Sequence, residues 1–261
     1  MTFRRKAFFV VAAALVTFLA AALGFRAWFY KDPAPVDIHK VVDEFVNRTT
    51  VPTNNYNQEL LPEGVYTYKT EGFESIKGKI SNTNSYPELT PITIVWTRCG
   101  YDSRWQPMVS RWDVTSLCLQ DNGLVETGST EQHEFFHTKE QRTYVCDPPA
   151  LLVPRLIVEG HSWTSSCTDG KGVDNRTMTI KEATEIQVGT ELVKVVHIEV
   201  DQVLTGENTG STKIDYWLDP INGQIVKYKK RISADSDSIL GIVTYTEEVD
   251  LSLTSMFPIK Q

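Results

Sequence analysis

From Pro62 to the C-terminus, apolar and polar residues alternate with a period of two, and that alternation leaves the chain few folds to choose from. Successive side chains of a strand point to opposite faces, so alternation buries one face and wets the other. The candidate strands are residues 64–70, 92–99, 101–106, 111–119, 124–136, 142–146, 162–168, 176–188, 191–204, 211–218, 224–232 and 242–253. They are rich in Thr, Val, Ile, Tyr and Trp, the types that suit a half-buried pleated surface. Turn residues separate them, notably Val188-Gly189-Thr190, Gly206-Glu207-Asn208 and Asp219-Pro220-Ile221-Asn222-Gly223. The predicted fold class is mainly β: a large curved antiparallel sheet, as a half-barrel or a closed barrel. A flat sheet of this size would expose an apolar face and two unpaired edges.

Helical periodicity falls before the strands. Asp37 is placed to cap a short helix running to Asn47, with Val41, Val42, Phe45 and Val46 as its apolar stripe. Residues 48–61 are polar and punctuated, and read as a loop. Upstream, residues 7–25 (AFFVVAAALVTFLAAALGF) are apolar apart from Thr17 and Gly24. Roughly 20 such residues cross a hydrocarbon core of about 30 Å, so the run is long enough to span. Arg4, Arg5 and Lys6 precede it and should stay in the cytoplasm, while Trp28, Phe29 and Tyr30 suit the outer interface. The alternative is a cleaved signal peptide with Ala20-Ala21-Ala22 as its site, but the run exceeds the usual apolar core of about 7–15 residues. The first cysteine is Cys99, so a lipobox is missing. Both readings put the rest of the chain outside the cytoplasm: a single-pass membrane protein with a cytoplasmic N-terminus, or a secreted one if the signal is cleaved. The organisation is then 1–30, cytoplasmic tip and transmembrane anchor; 31–61, linker with a short helix; 62–261, extracytoplasmic β domain.

Charge narrows the partners. Of 26 basic residues, five (Arg4, Arg5, Lys6, Arg26, Lys31) lie in the first 31 positions, leaving 21 against 33 acidic residues, a formal −12. Such a domain is a poor match for nucleic acid or anionic headgroups. Lys227-Tyr228-Lys229-Lys230-Arg231 is the one concentrated basic tract, and it alternates like a solvated strand face. Trp96, Trp105, Trp112, Trp163, Trp217, Tyr66, Tyr68 and Tyr216 fit cross-strand core pairs better than the lining of a groove.

The four cysteines, Cys99, Cys118, Cys146 and Cys167, are even in number and lack the close spacing of a zinc site, so they read as two disulfides. The stretch 99–118 reads as a hairpin folding about Met108-Val109. Joining Cys99 to Cys118 sets Trp105 opposite Trp112 and Arg104 opposite Asp113, an aromatic pair and an ion pair from one register. Cys146 then pairs with Cys167, closing a loop that contains the Pro-rich DPPALLVP stretch.

His133-Glu134-Phe135-Phe136-His137 matches H-E-x-x-H, which needs a helix to bring its two imidazoles to one zinc ion. The flanks supply no apolar stripe for a helix, and on a strand the histidines would stand about 13 Å apart. A strand is the better reading, and a metal-dependent hydrolase the remote one. No G-x-S-x-G elbow occurs. His161 reads as a turn residue, and His39 and His197 as structural. No catalytic, cofactor-binding or metal-binding residues are assigned, and no cofactor is required. Asn47-Arg48-Thr49 and Asn175-Arg176-Thr177 fit the glycosylation pattern, relevant only in a eukaryotic host.

Two segments resemble known proteins. GVYTYKTEGFESI followed by ITIVWTRCG, RW, RWD and LC resembles a family of uncharacterised membrane-anchored exported bacterial proteins, a resemblance that implies no activity. IDYWLDPINGQIVKYKKRI resembles a hairpin of LolA/LppX-like lipoprotein carriers. That resemblance implies a curved half-barrel, a helix closing its concave face, and an apolar or lipid ligand. The leading expectation is a membrane-tethered extracytoplasmic protein of this kind, with an envelope interaction or assembly module without a ligand as the alternative.

Overall fold

The structure is a computed structural model that describes residues 33–48, 60–238 and 241–259. Thirteen strands form one antiparallel sheet: β1 (Gly64–Lys77), β2 (Asn82–Ser85), β3 (Leu89–Trp96), β4 (Gly100–Met108), β5 (Arg111–Gln120), β6 (Gly123–Phe135), β7 (Thr138–Pro154), β8 (Ser162–Thr168), β9 (Gly172–Val188), β10 (Glu191–Gly206), β11 (Asn208–Leu218), β12 (Ile225–Ser238) and β13 (Gly241–Leu253). Each of β3 to β12 pairs with the next strand in sequence, and β1 pairs with β13 over Tyr68–Leu253 to Lys77–Thr244. The sheet is therefore a closed barrel. Along its other edge β1 pairs first with β3 and then with β2, so those two share one place in a wall of twelve positions. Closure removes the free edges that a curved open sheet would leave.

In its lower half the wall is apolar inside and charged outside. Met178, Ile180, Ile198, Val200 and Leu218 are buried, while the facing outer positions carry pairs such as Lys181–Glu199 (3.2 Å) and Lys213–Asp201 (3.4 Å). A barrel that crosses a bilayer has the opposite pattern, with an apolar band outside. The lower end, where β11 meets β12, is stoppered by the Asp219–Gln224 turn. The Tyr68 hydroxyl donates to Ile225 O (2.7 Å) and the Tyr101 hydroxyl to Asn222 O (2.8 Å), holding this turn against the barrel mouth.

The short helix α1 (Ile38–Val46) forms as its sequence predicts, with the Asp37 carboxylate accepting from His39 N–H (3.0 Å). Val41 and Val42 pack with Val65 on the outer wall, and Val46 is left exposed. The helix therefore does not close a concave face, as the carrier resemblance implies. Ahead of it Ala34 O accepts from Val109 N–H (3.0 Å), so the linker joins the barrel at its upper end, beside the β4–β5 turn. The apolar run 7–25 lies outside the described residues. Among the described residues no helix is long and apolar enough to cross a membrane.

Three sequence expectations need correction. The disulfide Cys99–Cys118 forms, but Trp105 faces Asp113 and Arg104 faces Val114, not Trp112 and Asp113. The turn is Val109-Ser110, one residue later than expected, with an irregularity between Trp105 and Met108. A one-residue slip exchanges the two faces of a strand. Here it sends Arg111 inside and leaves Trp112 beneath the guanidinium of Arg104 (4.4 Å to the ring centroid). Second, the expected strand 142–146 is too short: Cys146–Cys167 forms and encloses DPPALLVP as expected, but β7 runs on through that stretch, paired with β6 as far as Pro154. Third, the expected strands omit β2, whose NTNS has no apolar alternation to betray it.

Candidate functional site

The upper half of the barrel interior is filled by charge. Arg111 opens β5, where the tight Val109-Ser110 turn aims it inward, and it is fully buried. Its guanidinium grips Asp113 with both terminal nitrogens (Nη2–Oδ2 2.8 Å), donates to Glu247 Oε1 from Nη2 (2.8 Å) and lies 3.4 Å through Nε from Glu74 Oε2. The face of Trp105 lies 5.2 Å from the guanidinium carbon. Glu247 also accepts from the Tyr86 hydroxyl and pairs with the Lys230 ammonium. Glu74 accepts from Asn84 Nδ2 (3.1 Å) and meets His133 Nδ1 (2.9 Å), while His133 Nε2 faces Glu131 (3.8 Å). Together these residues join β1, β2, β4, β5, β6, β12 and β13 across the lumen.

These neighbours set the protonation states. Burial and the Arg111 charge would both hold His133 neutral, but its bonds to Glu131 and Glu74 raise it from 6.5 to about 9. Burial would raise Glu131, yet the bond to His133 and the charges of His133, Lys230 and Arg111 pull it down to about 2. Glu247 is held well below the usual carboxylate range, because Arg111 and Lys230 outweigh the cost of its burial. Near neutral pH His133 and Glu131 are thus both charged and face each other inside the barrel.

The H-E-x-x-H residues fall in this region, on a strand and a turn. His133 and Glu134 lie on β6, whereas Phe136 and His137 form the turn, with φ of 51° and 59°. The residues match the expected strand reading, and β6 stops one residue short of the expected Phe136. What the sequence reading missed is that His133 points inward, against Glu74. Ligand atoms of Asp113, Glu131 and His133 lie within 4.8 Å of one another, but Arg111 and Lys230 already contribute positive charge there, which opposes a further cation. The other close trio, Glu126, Cys146 and Cys167, offers no thiolate, because the two sulfurs are joined.

The remaining expected positions sort by face. Lys227, Lys229 and Arg231 point out, over the Trp217 ring (4.8 Å), to Asp250 (3.0 Å) and to Glu248 (3.7 Å), as a solvated strand face should. Lys230, in the middle of the same tract, points in. Trp105, Tyr66, Tyr68 and Tyr101 are core residues. His197 stacks on Trp217 (4.3 Å) and meets Asp215 through Nε2 (2.8 Å), and exposed His161 stacks on Trp163 (5.6 Å).

A second feature lies midway up the wall. β7 and β8 are joined, among the described residues, by the pair Val145–Thr168 and by the Cys146–Cys167 disulfide. Below them a groove of about 730 Å³ opens, lined by Pro148, Pro149, Trp163, Ser165, Arg176 and Asp201 among others. Behind it Arg176 of β9 bridges to Glu126 of β6 (Nη1–Oε2 2.6 Å) and to Asp174 (Nε–Oδ2 2.6 Å). Burial holds the Asp174 carboxyl above its usual range even beside Arg176.

No family model and no curated protein matches the chain in sequence. Among solved structures it is similar to the hypothetical lipoprotein YmcC from Escherichia coli (K12), with a TM-score of 0.36 and 11% identity, over 85% of this chain and 96% of that one.

Proposed function

We propose that this chain is a membrane-tethered extracytoplasmic module that acts through its outer surface, as an interaction or assembly part of the envelope with no bound ligand. The observation that carries the reading is the packed lumen. The enclosed space bounded by residues such as Tyr68, Ile94, Tyr101, Leu117, Leu152 and Leu218 amounts to about 40 Å³. That suits water-sized molecules, whereas drug-sized ligands occupy about 300–1,000 Å³. An acyl chain would have to force apart a lower half packed with aromatic and aliphatic side chains and an upper half held by ion pairs. Two observations support the compartment: two disulfides suit an oxidising space, and the apolar run 7–25 has the composition of an export signal.

Native mass spectrometry of the full chain, extracted in mild detergent, tests the reading. The expected spectrum carries the mass of the bare chain with four oxidised cysteines. A stoichiometric lipid adduct that survives detergent exchange would sink it in favour of a carrier. Protease protection in intact cells and spheroplasts tests the placement, and a barrel cut only after lysis of the inner membrane would overturn it.

A further inference from the structure

We propose that the seam between β7 and β8 is an acceptor site for an extended polypeptide segment, which joins the wall as an added strand along the free edge of β8. The inference rests on the interaction-module reading and names the class of partner.

The seam follows from the sequence. Asp147-Pro148-Pro149 sits where β7 would have to continue its ladder to β8, and proline has no N–H to give. The Leu151 carbonyl, further down, is taken by the Trp163 indole (2.8 Å). The ladder therefore ends at Val145–Thr168, and among the described residues β8 keeps one edge without a partner strand below that point.

The register of β8 with β9 fixes which backbone groups lie on that edge. Gly160 N–H donates to Ile180 O (2.8 Å) and Ile180 N–H to His161 O (3.0 Å). Counting by twos along the ladder, the backbone groups of Trp163, Ser165 and Cys167 face β9, and those of Ser162, Thr164 and Ser166 face the seam. The single pair with β7, at Thr168, agrees with this alternation. An edge of this kind is what an incoming strand completes, its own N–H and C=O groups matching those of the acceptor.

The groove lies in front of the edge, with Thr164, Ser165 and Ser166 on its lining. It is open, and Ser165 Oγ on its lining is buried with no hydrogen-bond partner, as is Asp174 Oδ1 beside Arg176. Its charges are already matched, Arg176 by Glu126 and Asp174, and Asp201 on the lining by Lys213 (3.4 Å). The fitting occupant is therefore chosen by its backbone: a proline-free, β-forming segment. A saccharide would use the Trp163 face but would leave the strand-spaced backbone groups unmatched.

The test uses the full chain in detergent and a fluorescein-labelled hexapeptide, Lys-Val-Thr-Val-Lys-Thr, read by anisotropy. A second peptide has the same side chains with alternate amides N-methylated. Thr164→Pro removes an N–H that faces the seam and no bond to β9, and Thr164→Ala keeps that N–H. Melting temperatures near that of the parent confirm that both variants fold. The parent peptide should bind, slow hydrogen exchange at the Thr164 and Ser166 amides, and bind to Thr164→Ala as to the parent. N-methylation or Thr164→Pro should weaken it by about tenfold or more. Equal binding of the two peptides, binding indifferent to Thr164→Pro, or no binding at millimolar peptide would each overturn the proposal. A bound lipid in the mass spectrum would sink the module reading without altering any of these results, so the two failures are distinguishable.

Discussion

Arg111 is the residue on which the upper barrel turns. It is buried among Glu74, Asp113 and Glu247, and removing one partner of a buried charge set leaves the others without compensation. Arg111→Met should therefore cost about 3–5 kcal/mol in denaturant unfolding. Arg231→Ala, which breaks an exposed pair with Glu248, should cost less than about 1 kcal/mol. His133 supplies a pH signature. Its folded value, about 9, lies above its ordinary 6.5, so its contribution is complete below pH 6.5 and lost as pH rises through 9. Glu131, lowered from 4.5 to about 2, contributes fully above pH 4.5, and its share is lost as pH falls toward 2. Stability from the cluster should be greatest between these limits. It should decline from pH 6.5 to 9 in urea titrations, and His133→Gln should flatten that alkaline limb. A decline of equal size in the variant would show that His133 is not its source.

Elements were far more legible than this cluster. Strands such as β9 and β10 announce themselves by alternation, and α1 by the Asp37 cap and the spacing of Val41 and Val42. The cluster was hidden because its members also read as the polar half of an alternating pattern. Glu74, Lys230 and Glu247 look like solvent positions until the barrel closes and inverts their meaning. Register was hidden for a related reason: matching Trp105 with Trp112 is locally attractive, but the burial of Arg111 against three carboxylates decides the face. The Asp219–Gln224 turn was legible as a turn, though not as a stopper. Gly223 holds φ 74°, and a Cβ there would lie 2.2 Å from Leu124 Cδ2 and 2.9 Å from Tyr101 Oη. Gly223→Ala should thus cost about 1–3 kcal/mol from backbone strain alone, with displacement of Leu124 added. A thermal melt matching the parent would mean that the turn yields freely and does not stopper the lower end.

At the scale of the whole molecule, the two disulfides close loops of nearly equal length, with separations of 19 and 21 residues. Chain entropy alone assigns each about 3 kcal/mol. The barrel assigns them different work. Cys99–Cys118 sits where β4 and β5 are joined by a ladder from Gly100–Cys118 upward, so its loss leaves the wall intact. Cys146–Cys167 stands where the wall has little else, since β7 and β8 share the pair Val145–Thr168 and the indole bond from Trp163. Replacing Cys146 and Cys167 with serine should let the barrel open locally at the seam before it unfolds globally. Amides of β7 and β8 should then exchange faster while those of β10 to β12 keep their parent rates. Replacing Cys99 and Cys118 should lower protection across the sheet together, as a loss of global stability does. Matching exchange profiles for the two double variants would mean that the wall is as continuous at β7–β8 as elsewhere, and the seam would lose its standing as a distinct site.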